Sequence, residues 1–214
     1  MIALIDYGAG NLTSVRKALA ALGAEFVTPR TADDLAAARG IIVPGVGHFA
    51  ATRAIDAEWR RAMQSAVDHG AALFGICLGM QWLFEGSVEA PNVPGFSAFE
   101  GICGRLPGTG TQKLKIGPTP FSPTPFSLKV PHVGWNSLVQ PQPTALLQGV
   151  EDGAQVYFTH SYVAPLTPEA AATTTYGITF TSAIERGRLA GVQFHPEKSG
   201  AVGLRILRNW LNAV

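Results

Sequence analysis

The sequence predicts an α/β fold in three layers: a mostly parallel sheet with flanking helices and a β-rich second half. Three observations carry that prediction. Short apolar runs alternate with helical patterns from Met1 to Phe84, in βαβα order with short turns. One of those runs ends in Gly75-Ile76-Cys77-Leu78-Gly79, a pentapeptide suited to a sharp strand-to-helix turn. Beyond Gln155, apolar runs follow one another closely, and a single helical pattern closes the chain.

Taken in order, Met1 to Ile5 reads as a buried strand. Asn11 is placed to cap a helix from Leu12 to Leu22, and Gly23 lies just past its end. Glu25 to Val27 makes a short strand, and Thr31 caps an alanine-rich turn through Ala38. Gly40 to Val43 is a further strand, followed by the Pro44-Gly45-Val46-Gly47 loop. A helical pattern then runs from about Phe49 to His69, broken near Ile55 to Ala57. The strand Leu73 to Ile76 enters the cysteine turn, and the helix Leu78 to Phe84 leaves it. From Gly86 to about Ser127 the pattern fails, and Pro118, Pro120, Pro123 and Pro125 crowd together. This stretch reads as a long surface excursion rather than a linker, because no second βα unit restarts beyond it. Strands are expected again at Gln155 to Thr159, Thr179 to Glu185 and Leu189 to Phe194, with a closing helix from Val202 to Leu211.

Composition narrows the function classes. The 214 residues are 47% hydrophobic and 14% charged, enough to bury a substantial core, and they are expected to form a single domain, 1–214. A formal net charge of +1, with scattered Lys and Arg, gives no electrostatic case for nucleic acid or an acidic membrane surface. No apolar run reaches the length of a membrane span, and the N-terminal run meets Asp6 at once, unlike a signal peptide. Cys77 and Cys103 fit neither a disulfide framework nor a zinc spacing, so a reducing cytoplasm is the expected compartment, with no metal and no cofactor.

The chemistry begins at Cys77. A nucleophile with glycine two places before and after it fits a turn whose backbone doubles back tightly. That turn exposes the thiol and aims a helix N-terminus at it, which favours the thiolate. A lone cysteine is more often a small buried hydrophobe, and the rest of the chain tips the balance. His195-Pro196-Glu197 follows the run Leu189 to Phe194, 118 residues after Cys77. Functional groups collect at the carboxyl ends of parallel strands, so the two segments are expected to meet. His195 then serves as the base that holds the thiolate and protonates a leaving amine, and Glu197 fixes its tautomer. A tetrahedral intermediate needs backbone donors at its oxyanion: Leu78 N–H supplies one, and the loop around Val46 is a plausible source of the second. Asp6-Tyr7-Gly8-Ala9-Gly10-Asn11 has the start of a phosphate loop but no evident third glycine or acidic ribose partner, and is not read as a nucleotide site.

These residues resemble the class I (triad-type) glutamine amidotransferases, a flavodoxin-like fold. Within them the chain is similar to the glutaminase subunits of imidazole glycerol phosphate synthase. The resembling segments are Ile5 to Asn11, Pro44 to Phe49, Gly75 to Gln81, Lys129 to Asn136, His160-Ser161-Tyr162 and Gln193 to Lys198, which extend over nearly the whole chain. Residues Arg105 to Ser127 depart from it, being longer and richer in proline than usual. The resemblance implies that Cys77 attacks the carboxamide of L-glutamine, with Gly45, Gly47, Gln81, Glu89, Ser161 and Tyr162 on the substrate side. It also implies a partner, a (βα)8-barrel cyclase subunit in a heterodimer, that consumes the ammonia in histidine biosynthesis. Asn11, Trp135, Tyr157 and Lys198 match positions near the subunit boundary. The alternatives are another amidotransferase glutaminase, such as the pyridoxal phosphate synthase type, a free-standing cysteine hydrolase, or a regulatory subunit without chemistry. Lys198 and the Trp135 segment count against the first, and the intact Cys77, His195 and Glu197 against the last.

Overall fold

In a computed structural model, residues 1–108 and 128–214 are described; the four clustered prolines lie outside them. The strands are β1 (Ile2–Leu4), β2 (Phe26–Val27), β3 (Gly40–Val43), β4 (Ala72–Ile76), β5 (Gly86–Ser87), β6 (Ile102–Arg105), β7 (His132–Ser137), β8 (Gln155–His160), β9 (Tyr162–Val163), β10 (Ala170–Tyr176), β11 (Ile178–Arg186) and β12 (Leu189–Val192). The α-helices are α1 (Leu12–Ala21), α2 (Ala57–Asp68), α3 (Leu78–Trp82) and α4 (Gly200–Asn212), joined by 3₁₀ turns at Ala32–Ala37, Phe49–Ala54 and Pro196–Lys198.

Seven strands form the main sheet in the order β10-β11-β12-β4-β3-β1-β2. The five from β12 to β2 run parallel, and β10 and β11 extend the edge antiparallel. Each buried parallel strand feeds two cores because successive side chains point to opposite faces. Ile2, Leu4, Ile42, Phe74 and Ile76 pack with Val15 and Leu19 of α1 and with Ile206, Leu207 and Trp210 of α4. Ala3, Ile41, Val43 and Leu73 face the other way, onto Met63 of α2 and Met80 of α3. The result is the expected three layers.

Local signals explain the helices. Asn11 Oδ1 accepts from Ser14 N at 3.3 Å and starts α1. Asp56 caps α2 by accepting from the N–H groups of Glu58 and Trp59, which places the break where the apolar pattern lapses. Several differences from the sequence-based expectation stand out, among them the short strands β5, β6 and β9, the first two within the stretch read as a surface excursion. The helix after Cys77 ends at Trp82, and the strand before His195 ends at Val192. β7 and β10 were not expected as strands. β10 is Ala-Ala-Ala-Thr-Thr-Thr-Tyr, a run of small residues with register shifts against β11, so neither strong hydrophobicity nor clean alternation marks it. β7 carries glycine, histidine and asparagine, and is held by full antiparallel pairing with β8 rather than by propensity.

Candidate active site

β4 and β12 are hydrogen-bonded neighbours in parallel register, with Ile76 beside Val192. Continuing both chains by a few residues brings Cys77 and His195 to the same carboxyl edge. Cys77 N donates to Val192 O at 2.7 Å, tying the cysteine's own backbone to the strand that leads to the histidine. Cys77 sits at φ 53°, ψ −106°, a strained conformation for a residue with a side chain. The flanking glycines are demanded by space. A Cβ on Gly79 would overlap the Val43 carbonyl oxygen, and one on Gly75 would lie 2.6 Å from Gly79 O. The turn is therefore over-determined by its neighbours, which is what holds the strain.

His195 is pinned on both sides of its backbone: its N–H donates to Tyr157 O at 2.9 Å, and its carbonyl accepts from Ser199 Oγ at 2.7 Å. Its Nδ1 donates to Glu197 Oε1 at 2.8 Å, with both side chains 2% exposed or less. That bond leaves Nε2 as the proton-accepting nitrogen, and Nε2 has no hydrogen-bond partner of good geometry among the described residues. Burial works to lower the His195 pKa. A loose hydrogen bond to Cys77, the bond to Glu197 and the negative charge of both outweigh it and hold the pKa raised. The imidazolium is thus stabilised between a carboxylate and a sulfur.

The loop after β3 approaches the same place. Leu78 N–H donates to Gly45 O at 3.3 Å, so the Gly45–Val46 peptide presents its oxygen to the one backbone donor of the turn. In a trans peptide the N–H points opposite to the carbonyl, so Val46 N–H is directed away from Leu78. Gly47 adopts φ +102°, which favours glycine. Gly45 is required for a different reason: a Cβ there would overlap the Tyr7 hydroxyl and come within 2.8 Å of Leu78 Cβ.

The class-I glutamine amidotransferase family model matches residues 3–214. The chain belongs to that family. It is 45% identical to imidazole glycerol phosphate synthase subunit HisH of Geobacillus kaustophilus, over 99% of this chain and 96% of the relative. It is 41% identical to the subunit of the same name from Moorella thermoacetica, over 98% and 93%. These identities place it among the HisH subunits of the family. A crystal structure of a glutamine amidotransferase superposes with a TM-score of 0.70 at 19% identity, covering 100% of this chain and 98% of that one, so the fold is the amidotransferase fold.

The remaining expected residues of this amidotransferase are placed unevenly. Gln81 is buried, and its Nε2 donates to Tyr162 O at 2.9 Å and to Gln193 Oε1 at 3.0 Å. Both of its N–H groups are spent inside the protein, and only its oxygen is left for a ligand. Glu89 accepts from Phe49 N at 2.7 Å, just past the Pro44–Gly47 loop. Ser161 and Tyr162 are half-buried, and the Ser161 carbonyl accepts from Leu106 N at 2.8 Å. Neither Glu89 nor Ser161 hydrogen-bonds Cys77, His195 or Glu197 among the described residues. Trp135 and Tyr157 meet edge to face at 6.1 Å between centroids, and Lys198 Nζ lies 5.8 Å from the Tyr157 ring centroid. Asn11 caps α1, which packs against the Pro196–Lys198 turn.

Four further residues near this site were not singled out from the sequence. Gln193 is fully buried and reaches Cys77 Sγ at 3.6 Å. Tyr7 has a buried hydroxyl without a partner, and its pKa is raised by burial and then by the Cys77 charge. His132 and His160 form a buried pair, Nδ1 to Nε2 at 3.2 Å, and burial pushes both down, to about 4 and about 3. Both lie in segments that carry the family resemblance, but nothing in the sequence said that they would meet, since the two sit 28 residues apart on partner strands. For Gln193 there was a signal: a glutamine within an apolar strand end, next to the histidine motif.

Proposed function

We propose that this chain is a glutaminase subunit that supplies ammonia to an imidazole glycerol phosphate synthase. The observation that carries the reading is the Cys77–His195–Glu197 constellation at the carboxyl ends of two adjacent parallel strands, in a chain related end to end to HisH subunits. Cys77 thiolate adds to the side-chain carboxamide carbon of glutamine, and the oxygen takes the negative charge. His195 gives its proton to the nitrogen, ammonia leaves, and a thioester remains. His195 then takes a proton from water, the hydroxide adds to the thioester, and glutamate departs as the thiolate returns. Glu197 keeps Nδ1 protonated and stabilises each imidazolium. Gln81 Oε1, Glu89, Ser161 and Tyr162, with Gly45 and Gly47, are proposed to hold the α-amino acid end.

The oxyanion would rest on Leu78 N–H and Val46 N–H. The first is bonded to Gly45 O and the second is turned away, so the peptide must rotate before the hole is complete. Losing one such donor typically costs on the order of 10²–10³ in turnover, enough for a switch. The exposed Trp135, with Tyr157 and Lys198, is the proposed docking face for a (βα)8-barrel cyclase. Because His195 N–H donates to Tyr157 O at 2.9 Å, contact at that face adjoins the catalytic base directly. The pair is proposed to work in the cytoplasm; among the described residues no helix is long and apolar enough to cross a membrane.

The test is glutamate release at saturating glutamine by the chain alone and by the complex with the barrel subunit and its nucleotide. The expected result is a gain on the order of 10²-fold or more in the complex. Equal rates would remove the switch and favour a free-standing cysteine hydrolase.

A further inference from the structure

We infer that Gln193 is a thiolate-stabilising residue: its side-chain N–H is aimed at Cys77 Sγ and is locked in that sense by Gln81. The orientation follows from hydrogen-bond logic. Tyr162 O can only accept, so the Gln81 group facing it at 2.9 Å is the NH₂. The second N–H of that group faces Gln193 at 3.0 Å, and two NH₂ groups cannot bond each other. Gln193 Oε1 therefore faces Gln81, and its Nε2 faces Cys77 Sγ at 3.6 Å. The same carbonyl of Tyr162 also accepts from His160 Nδ1 at 3.0 Å, which fixes the far end of the chain.

The need for such a donor is electrostatic. Contrary to the exposed thiol expected from the sequence, Cys77 is buried at 4% exposure, so little water reaches the anion. On one side the sulfur meets Thr159 O at 3.9 Å, an acceptor that welcomes the thiol proton and repels the thiolate. α3 has only five residues, which limits what its dipole adds. Gln193 supplies a neutral donor to the sulfur that is protonated at every stage, alongside the imidazolium. The titratable groups that feel the sulfur are His195, backed by Glu197 on the turn after β12, and Tyr7 from the loop after β1. Among the described residues none of these donates to the sulfur with good geometry, His195 Nε2 included, and Gln193 Nε2 is the side-chain donor that does.

This inference builds on the proposed nucleophilic role of Cys77, but its test needs no glutamine. The rate of iodoacetamide labelling at Cys77, mapped by peptide mass, is followed against pH in wild type, Gln193→Met and Gln81→Met. Losing a donor to a charged sulfur should move the midpoint of the Gln193→Met profile up by about one pH unit, roughly a tenfold change in thiolate fraction at fixed pH. Gln81→Met leaves the donor present but free to turn, and should shift it less in the same direction. In the wild-type chain the Gln193 side-chain amide proton resonance should titrate with the labelling midpoint, and stop doing so in Cys77→Ala. A Gln193→Met profile that coincides with wild type overturns the inference, and so does an amide resonance blind to the thiol; the second reading decides the matter if Gln193→Met does not fold. Loss of glutaminase activity with an unshifted profile would assign Gln193 to packing alone and leave the function of Cys77 intact.

Discussion

The turn around Cys77 and the β7–β8 hairpin are built on opposite principles. In the turn every neighbour is too close for anything but what is there: Gly79 abuts Val43 O, Gly75 abuts Gly79 O, and Cys77 holds a positive φ between them. The hairpin has a crowded inner face and an open outer one. His132 is buried between Phe158 and Tyr176, whereas Val133 and Trp135 are each 57% exposed and Gly134 has open space around it. The geometry proposed for chemistry is thus fixed by steric over-determination, and the face proposed for a partner is decoupled from the core. Changes in the turn should cost fold and chemistry together; changes on the hairpin's outer side should cost the partner alone.

The largest expected effect separates chemistry from fold inside the turn. Cys77→Ala keeps the small side chain, and should abolish glutamine-dependent turnover while the complex still uses added ammonium salts. His195→Asn should be nearly as damaging, and Glu197→Gln milder, because an orienting group is less essential than the proton carrier. Steady-state rates with glutamine and with ammonium measure all three. Glutaminase activity retained in Cys77→Ala would end the assignment of the nucleophile.

Gly79→Ala should break the fold side of the same turn. The added methyl overlaps a backbone oxygen that cannot swing away, so β3 and α3 must separate. Overpacking of this kind typically costs about 1–3 kcal/mol, and more when backbone must move. Urea unfolding should show that loss along with lost glutaminase activity. Gly134→Ala, facing open space at φ +133°, should lose only the backbone-strain part.

How much of this was legible beforehand differs between the two regions for the same physical reason. The turn is local: glycine spacing, an apolar run before it and a helix after it lie within a few residues, so Cys77 and its geometry could be read directly. The parallel strands β1, β3 and β4 were equally plain, being apolar runs bounded by turn signals. The Cys77–His195–Glu197 grouping needed one further step, that strand ends gather, and Cys77 and His195 do lie just past the ends of neighbouring strands. The hairpin is non-local. β7 has no apolar alternation of its own, and its partner β8 lies some twenty residues on, so neither the strand nor the His132–His160 pair could be seen. Gln193 failed for a related reason: its contacts, Gln81 and Cys77, come from the register of β12 against β4. The roles of Glu89 and Ser161 came from resemblance alone, and among the described residues neither hydrogen-bonds Cys77, His195 or Glu197.

On the hairpin's outer face, Trp135→Ala should leave the urea midpoint within error, because the side chain is mostly exposed and meets Tyr157 edge-on. If this is the docking face, the substitution should weaken binding of the barrel subunit by about 2 kcal/mol, the usual scale for a central aromatic anchor. Isothermal titration with the barrel subunit gives the number. Unchanged affinity would move the partner elsewhere, and a drop in stability would contradict the separation of the two faces.

The smallest effect concerns the hairpin's inner face. Burial holds both imidazoles neutral, His132 down to about 4 and His160 to about 3, the latter helped by the nearby charges of His132 and His195. Hydrogen bonds agree with that state: His160 Nδ1 donates to Tyr162 O at 3.0 Å, its Nε2 accepts from His132 Nδ1, and Asn136 Nδ2 approaches His132 Nε2 at 3.4 Å. In the unfolded chain both would take up protons near the ordinary histidine value of about 6.5. Between there and about pH 4 the unfolded state binds more protons, so stability rises with pH in that window. The contribution is fully present above about 6.5 and is lost progressively as pH falls through the folded values. The urea midpoint should therefore fall between pH 7 and pH 5, and the slope should flatten when His132→Gln and His160→Gln are combined. An unchanged slope in the double variant would mean that these imidazoles titrate alike folded and unfolded, and that the inner face is wetter than its packing implies.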